Sequence, residues 1–106
     1  MTDLKLEHLN IPATDPEGLA SWYAKSLGLE ANKHVVRGPG VIIAFEQGEP
    51  INRGPEVHIG FRAQSIDALK DWAKKFDTEV SIGPEFTTFR TPDPEGNCLE
   101  FYAPNA

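Results

Sequence analysis

Two histidines, His8 and His58, stand in matching surroundings, and that correspondence limits what the chain can fold into. Laying Leu6-Glu7-His8-Leu9-Asn10-Ile11 on Glu56-Val57-His58-Ile59-Gly60-Phe61 and continuing without gaps pairs Leu9 with Ile59, Ile11 with Phe61, Leu19 with Leu69, Trp22 with Trp72 and Lys25 with Lys75. A self-match that runs through a strand and the following helix, and pairs the only two tryptophans, marks an internal duplication. With 106 residues to share, the two copies are expected to form one domain, 1–106. Its modules cover about 1–48 and 55–106, with the join at Gly48–Gly54. If a pseudo-twofold axis relates the copies, His8 and His58 come from equivalent strands and their imidazoles converge on one point.

Each copy reads as a strand, a helix and then further strands. Leu4 to Ile11 alternates, with Leu6, His8 and Asn10 on one face and Leu9 and Ile11 on the other, and Pro12 ends the run. Thr14 or Asp15 caps a helix with Pro16 and Glu17 in its first turn, an apolar stripe of Leu19, Trp22, Tyr23 and Leu27, and Gly28 as the stop. Leu29 to Arg37 is extended but polar. Gly38-Pro39-Gly40 breaks the chain before Val41–Phe45, the clearest buried strand of the first half. In the second copy Ser65 caps a helix with stripe Ile66, Leu69, Trp72, Ala73 and Phe76. Val80–Ile82 and Phe86–Arg90 follow as a strand pair, and the turn Pro92–Asn97 leads into a last strand, Cys98–Tyr102.

Composition narrows the function classes. Hydrophobic residues at 40% and charged residues at 25% are ordinary for a folded globular chain. A formal charge of −6 offers no basic footprint for nucleic acid and is repelled by anionic membrane surfaces. No apolar run approaches a signal sequence or a membrane span, and a single cysteine, Cys98, excludes an intrachain disulfide, so a reducing cytoplasm is the expected compartment.

Strand parity then sorts the side chains. Leu9, Ile11, Val57, Ile59, Phe61, Leu99 and Phe101 fall on the face expected to meet the helices, while His8, His58 and Glu100 all fall on the opposite face. Alone, such a histidine is ordinarily a hydrogen-bonded core or rim residue. Two symmetry-related imidazoles with one carboxylate suit a divalent first-row metal, because neutral nitrogens and a hard oxygen bind it while leaving positions for substrate. Superposing Ile43–Glu46 on Leu99–Tyr102 places Ala44 where the second copy has Glu100. Glu46, two residues on, enters the shell only after a register shift. Tyr102 shares the Glu100 face, where its hydroxyl can orient a substrate or donate a proton, or its ring can close the site. Arg62 is either a substrate-anion anchor or a surface residue. His34 reads as a surface histidine, and Cys98 as a small buried residue rather than a nucleophile.

The carriers of a resemblance are His8 in an opening strand, Trp22–Leu29 ending the first helix, His58 in His-Ile-Gly-Phe, and above all the closing Phe89-Arg90-Thr91-Pro92-Asp93-Pro94-Glu95-Gly96-Asn97-Cys98-Leu99-Glu100. Through them nearly the whole chain resembles the vicinal oxygen chelate superfamily of glyoxalases, bleomycin resistance proteins and extradiol dioxygenases. The resemblance implies an α+β fold of two tandem βαβββ modules, a U-shaped mixed sheet around a concave metal site with helices outside, and a homodimer. It also implies His8, His58 and Glu100 as ligands of a divalent ion (Fe, Mn, Ni, Co or Zn) that a small-molecule substrate chelates through vicinal oxygens; beside Glu100, Tyr102 is the further catalytic candidate, on strand parity alone. Ala44 at the fourth ligand position departs from glyoxalase I-like members and turns the expectation toward lyase or dioxygenase chemistry. The first half is also expected to be short, with a strand trimmed or merged before Gly48. The alternative is a metal-free binding protein of the bleomycin-resistance kind; a catalytically silent relative is the third reading.

Overall fold

The computed structural model describes residues 2–51 and 54–105, and within them each half builds the same series of elements. The first unit, up to residue 51, holds β1 (Leu9–Ala13), α1 (Pro16–Leu27), β2 (Glu30–Asn32), β3 (Val35–Gly38) and β4 (Val41–Gln47). The second, from residue 52, holds β5 (His58–Arg62), α2 (Ile66–Lys75), β6 (Ser81–Ile82), β7 (Phe86–Pro92) and β8 (Cys98–Pro104), after a 3-10 turn at Gly54–Glu56. The expected join at Gly48–Gly54 includes residues 52 and 53, which lie outside the described residues. Both sheets are mixed and share one topology, β1-β4-β3-β2 and β5-β8-β7-β6, in which the opening strand lies parallel to the closing one. The chain is therefore α+β, with tandem βαβββ modules. No helix among the described residues is long and apolar enough to cross a membrane.

Register carries the duplication down to single residues. Asn10 pairs with Ala44 in the first sheet and Gly60 with Glu100 in the second, so the repeat that aligns Asn10 with Gly60 also aligns Ala44 with Glu100. The expectation of a trimmed first half is corrected, because that half has its full complement of four strands. The extended stretch Leu29–Arg37 folds back on itself as the β2–β3 hairpin, a reversal that no glycine marks because Lys33 takes the positive φ of 57°. The opening strand also differs from expectation. It starts at Leu9 rather than Leu4, leaving His8 just ahead of it, and it runs through Pro12 to Ala13. As an edge strand, β1 tolerates the N–H that Pro12 lacks.

Local chemistry sets the helix ends. The Asp15 carboxylate accepts the Gly18 N–H at 3.1 Å, Pro16 sits in the first turn, and Gly28 ends α1 at φ 75° with its N–H on the Ala24 carbonyl. In α2 the Ser65 hydroxyl accepts the Ala68 N–H at 3.1 Å, while Lys74 and Lys75 meet the negative end of the dipole. Leu19, Ala20 and Tyr23 of α1 are buried with Val36, Ile43 and Phe45 of the first sheet, and the Tyr23 and Phe45 rings lie 5.2 Å apart. Trp22 and Leu27, expected in that stripe, are only half-buried. In the second unit Leu69 and Ala73 are buried with Phe89, Leu99 and Phe101. Phe101 is the hub there, with Phe89, Phe61, Phe76 and Trp72 at centroid distances of 4.7, 5.3, 5.7 and 6.3 Å.

Candidate functional site

The chemistry-bearing group of the second unit is arranged by the β7–β8 hairpin. At its turn the buried Asp93 carboxylate accepts three N–H bonds, from the backbones of Glu95 and Asn97 at 2.8 and 3.0 Å and from the Asn97 amide at 2.9 Å. Gly96 completes the reversal at φ 86°. With the turn held in this way, Arg90 pairs directly with Glu100, and Gly60 of β5 pairs with Glu100 from the other side. His58, Arg90, Glu100 and Tyr102 therefore share one sheet face. Ile59, Leu99, Phe89 and Phe101 take the face that carries the core, as strand parity requires.

The three polar groups are in contact. Arg90 sets Nε and Nη2 at 2.9 and 2.8 Å from the same carboxylate oxygen of Glu100, Oε2. The other oxygen, Oε1, lies 3.5 Å from His58 Nε2, and the Glu100 side chain is 18% exposed against 31% for His58. His58 Nδ1 lies 2.8 Å from the Pro55 carbonyl, which can only accept, so Nδ1 carries a proton. In the neutral imidazole Nε2 then holds the lone pair and points it at Glu100 Oε1. Two lone-pair donors facing each other are joined either by a proton, as imidazolium, or by a cation. A ring nitrogen whose partner nitrogen donates to a backbone carbonyl is also the usual form of a metal-ligating histidine. Beside them, a Cβ on Gly60 would meet nothing within 4 Å, so the face is open next to Glu100. The donor set fits a divalent ion.

The remaining expected residues are placed as follows. His8, in the first unit, is exposed, with Nδ1 3.0 Å from Glu7 Oε1. Among the described residues no group of three or more His, Cys, Asp or Glu side chains stands ready for a metal, so the expected set is represented by the His58–Glu100 pair of the second unit. Glu46 is exposed and takes the Asn10 amide on Oε2 at 2.7 Å. Tyr102 is half-buried, beside Arg62 in register, with the Phe86 ring edge-on at 5.6 Å. His34 is exposed, whereas Cys98 is half-buried rather than buried and lies beside His58 in register. Cavities of about 730 Å³ along Lys70, Lys74 and Glu79, and about 520 Å³ along Asp15, His34 and Glu46, contain neither His58 nor Glu100. Arg90 was missed by sequence reasoning. Centring an antiparallel hairpin on Glu95 would have put it opposite Glu100.

Comparison with known proteins adds the family. Residues 5–101 match the profile of the Glyoxalase/Bleomycin resistance protein/Dioxygenase superfamily. Among solved structures, a lactoylglutathione lyase from Agrobacterium tumefaciens is similar with a TM-score of 0.70 at 14% identity, covering 93% of this chain and 92% of that one. A glyoxalase/bleomycin resistance protein/dioxygenase from Alicyclobacillus acidocaldarius is similar with a TM-score of 0.72 at 23% identity, covering 96% and 92%. One of the same description from Nocardioides has a TM-score of 0.73 at 18% identity, covering 97% and 85%. At these identities the likeness is one of fold. The search of curated proteins finds no match.

Proposed function

The chain belongs to the glyoxalase/bleomycin resistance protein/dioxygenase superfamily, and on that premise we propose that it is a metal-dependent enzyme, a lyase or a dioxygenase, acting on a small molecule that presents vicinal oxygens. The carrying observation is the His58–Glu100 pair, in which the imidazole Nε2 and one carboxylate oxygen face each other across 3.5 Å. His58 and Glu100 of the second unit would hold the ion, with His8 of the first unit as the third ligand. A bound divalent ion supplies Lewis acidity, stabilising negative charge that develops on the substrate oxygens. The chain's own groups do the rest. Glu100, with Oε2 on Arg90, would offer Oε1 to the ion, His58 is kept in its Nδ1–H form by the Pro55 carbonyl, and the Tyr102 hydroxyl would orient the substrate or donate a proton from the same sheet face. Ala44, in the register position equivalent to Glu100, supports three protein ligands over four. The protein acts as a cytoplasmic homodimer on this reading.

A second reading has its own support. Arg90 already compensates the Glu100 carboxylate, which a metal-free binding protein would also require. Elemental analysis of protein purified without added metal or chelator separates the two. The enzyme reading expects a stoichiometric first-row metal, or uptake of one on titration. Protein that emerges metal-free and refuses Fe, Mn, Ni, Co and Zn would overturn it.

A further inference from the structure

The contact geometry of Glu100 points to a role for a residue outside the ligand set: we infer that Arg90 is a positioning residue that fixes Glu100 so that a single carboxylate oxygen faces His58 Nε2. The inference rests on the metal-site reading and deepens it. A carboxylate at the end of two methylenes has a broad torsion about its terminal bond, so either oxygen, or both, could meet an incoming ion. Arg90 removes that freedom. Its Nε and Nη2 converge on Oε2 at 2.9 and 2.8 Å, leaving Oε1 as the oxygen directed at His58 Nε2. A planar guanidinium fastened at two nitrogens sets direction as well as distance, which an ammonium cannot do.

Arg90 is itself fixed by the backbone. It lies directly opposite Glu100 in the β7–β8 ladder, and the Asp93 turn holds that register. His58 has a parallel device, since the Pro55 carbonyl orients its ring. Each member of the pair is therefore held by a group that does not itself face the space between them. The first unit has no counterpart to this pairing, because Val35 stands opposite Ala44 there. The consequence is that Glu100 would offer an ion one oxygen, Oε1, because Oε2 is taken by Arg90.

Cobalt(II) titration of the full chain tests this through both affinity and the visible absorption bands that report coordination geometry. The variants are Arg90→Met, Arg90→Lys and Glu100→Ala, each also melted in the presence of chelator. Arg90→Met should bind cobalt about 10- to 100-fold more weakly than the native protein, the usual effect of losing a group that orients a ligand. Its bands should be altered while its melting in chelator stays near native. Arg90→Lys should recover part of the affinity but not the native bands. If Arg90→Met keeps both native affinity and native bands while Glu100→Ala loses cobalt, the inference is wrong and the metal site stands. If Glu100→Ala binds as the native protein does, or the native protein takes no cobalt, the metal-site reading fails and the inference falls with it. Should Arg90→Met melt far below native in chelator, Arg90→Lys decides: native bands in that variant overturn the inference, and altered bands uphold it.

Discussion

At the scale of the residue, a few side chains carry more of the second unit than their number suggests. Phe101 is 4% exposed and meets four other aromatic rings, so Phe101→Ala should destabilise the protein by about 3–5 kcal/mol in chemical denaturation. A loss under 1 kcal/mol, on the order of a surface change, would contradict that packing. Asp93 was read from the sequence as one letter of a turn motif, yet it is buried and accepts three N–H bonds. Asp93→Ala should therefore cost about 2 kcal/mol or more, since it strands N–H donors at a buried site. The same change should also disturb the Arg90–Glu100 contact, visible as a shift of the Arg90 Nε–H resonance. The strand faces of His58 and Glu100 were legible because alternation with Ile59, Leu99 and Phe101 fixes parity. Their hydrogen-bond partners were not, because pairing across strands depends on register, and register depends on turn geometry.

Among the elements, burial explains much of what could be read, though β6 was placed within a residue with both its positions exposed. The two helices and the strands β4, β5 and β8 were placed within a residue or two, through apolar periodicity together with Asp15, Gly28 and Ser65 at the helix ends. The hairpin β2–β3 was read as one extended stretch because Lys33, not a glycine, makes its turn at φ 57°, and the start of β1 was misplaced by the alternation of Leu4 and Leu6, which are 82% and 88% exposed. Alternation signals a strand only where one face has something to cover. The caps give a direct check. Ser65→Ala should lower stability by about 1 kcal/mol, and Gly28→Ala by a similar amount because Gly28 holds φ 75°; denaturant midpoints that do not move would contradict both assignments.

For the whole molecule, assembly and chemistry are each open to a direct test. Within each sheet the opening strands, β1 and β5, lie at an edge, and Leu4 and Leu6 ahead of β1 are exposed. A second copy of the chain can cover such edges and apolar side chains. Sedimentation velocity at micromolar protein should find a dimer, and a monomer at all concentrations would contradict it.

The chemical claim is that His8, His58 and Glu100 hold one divalent ion, and metal-linked melting tests it most directly. A ligand at a hundredfold excess over its Kd contributes about 2.7 kcal/mol, so the native protein should gain about 10–20 °C in Tm on adding the metal it binds. His34→Ala, at an exposed position, should gain as much, and Glu46→Ala nearly as much, since the Glu46 carboxylate is engaged by Asn10. His8→Ala, His58→Ala and Glu100→Ala should each melt close to native without metal and gain little with it. A core histidine would give the opposite pattern, a lowered Tm with or without metal. If the His8 and His58 variants gain as much from metal as the native protein while Glu46→Ala gains nothing, the ligand assignment is wrong even though the family is right.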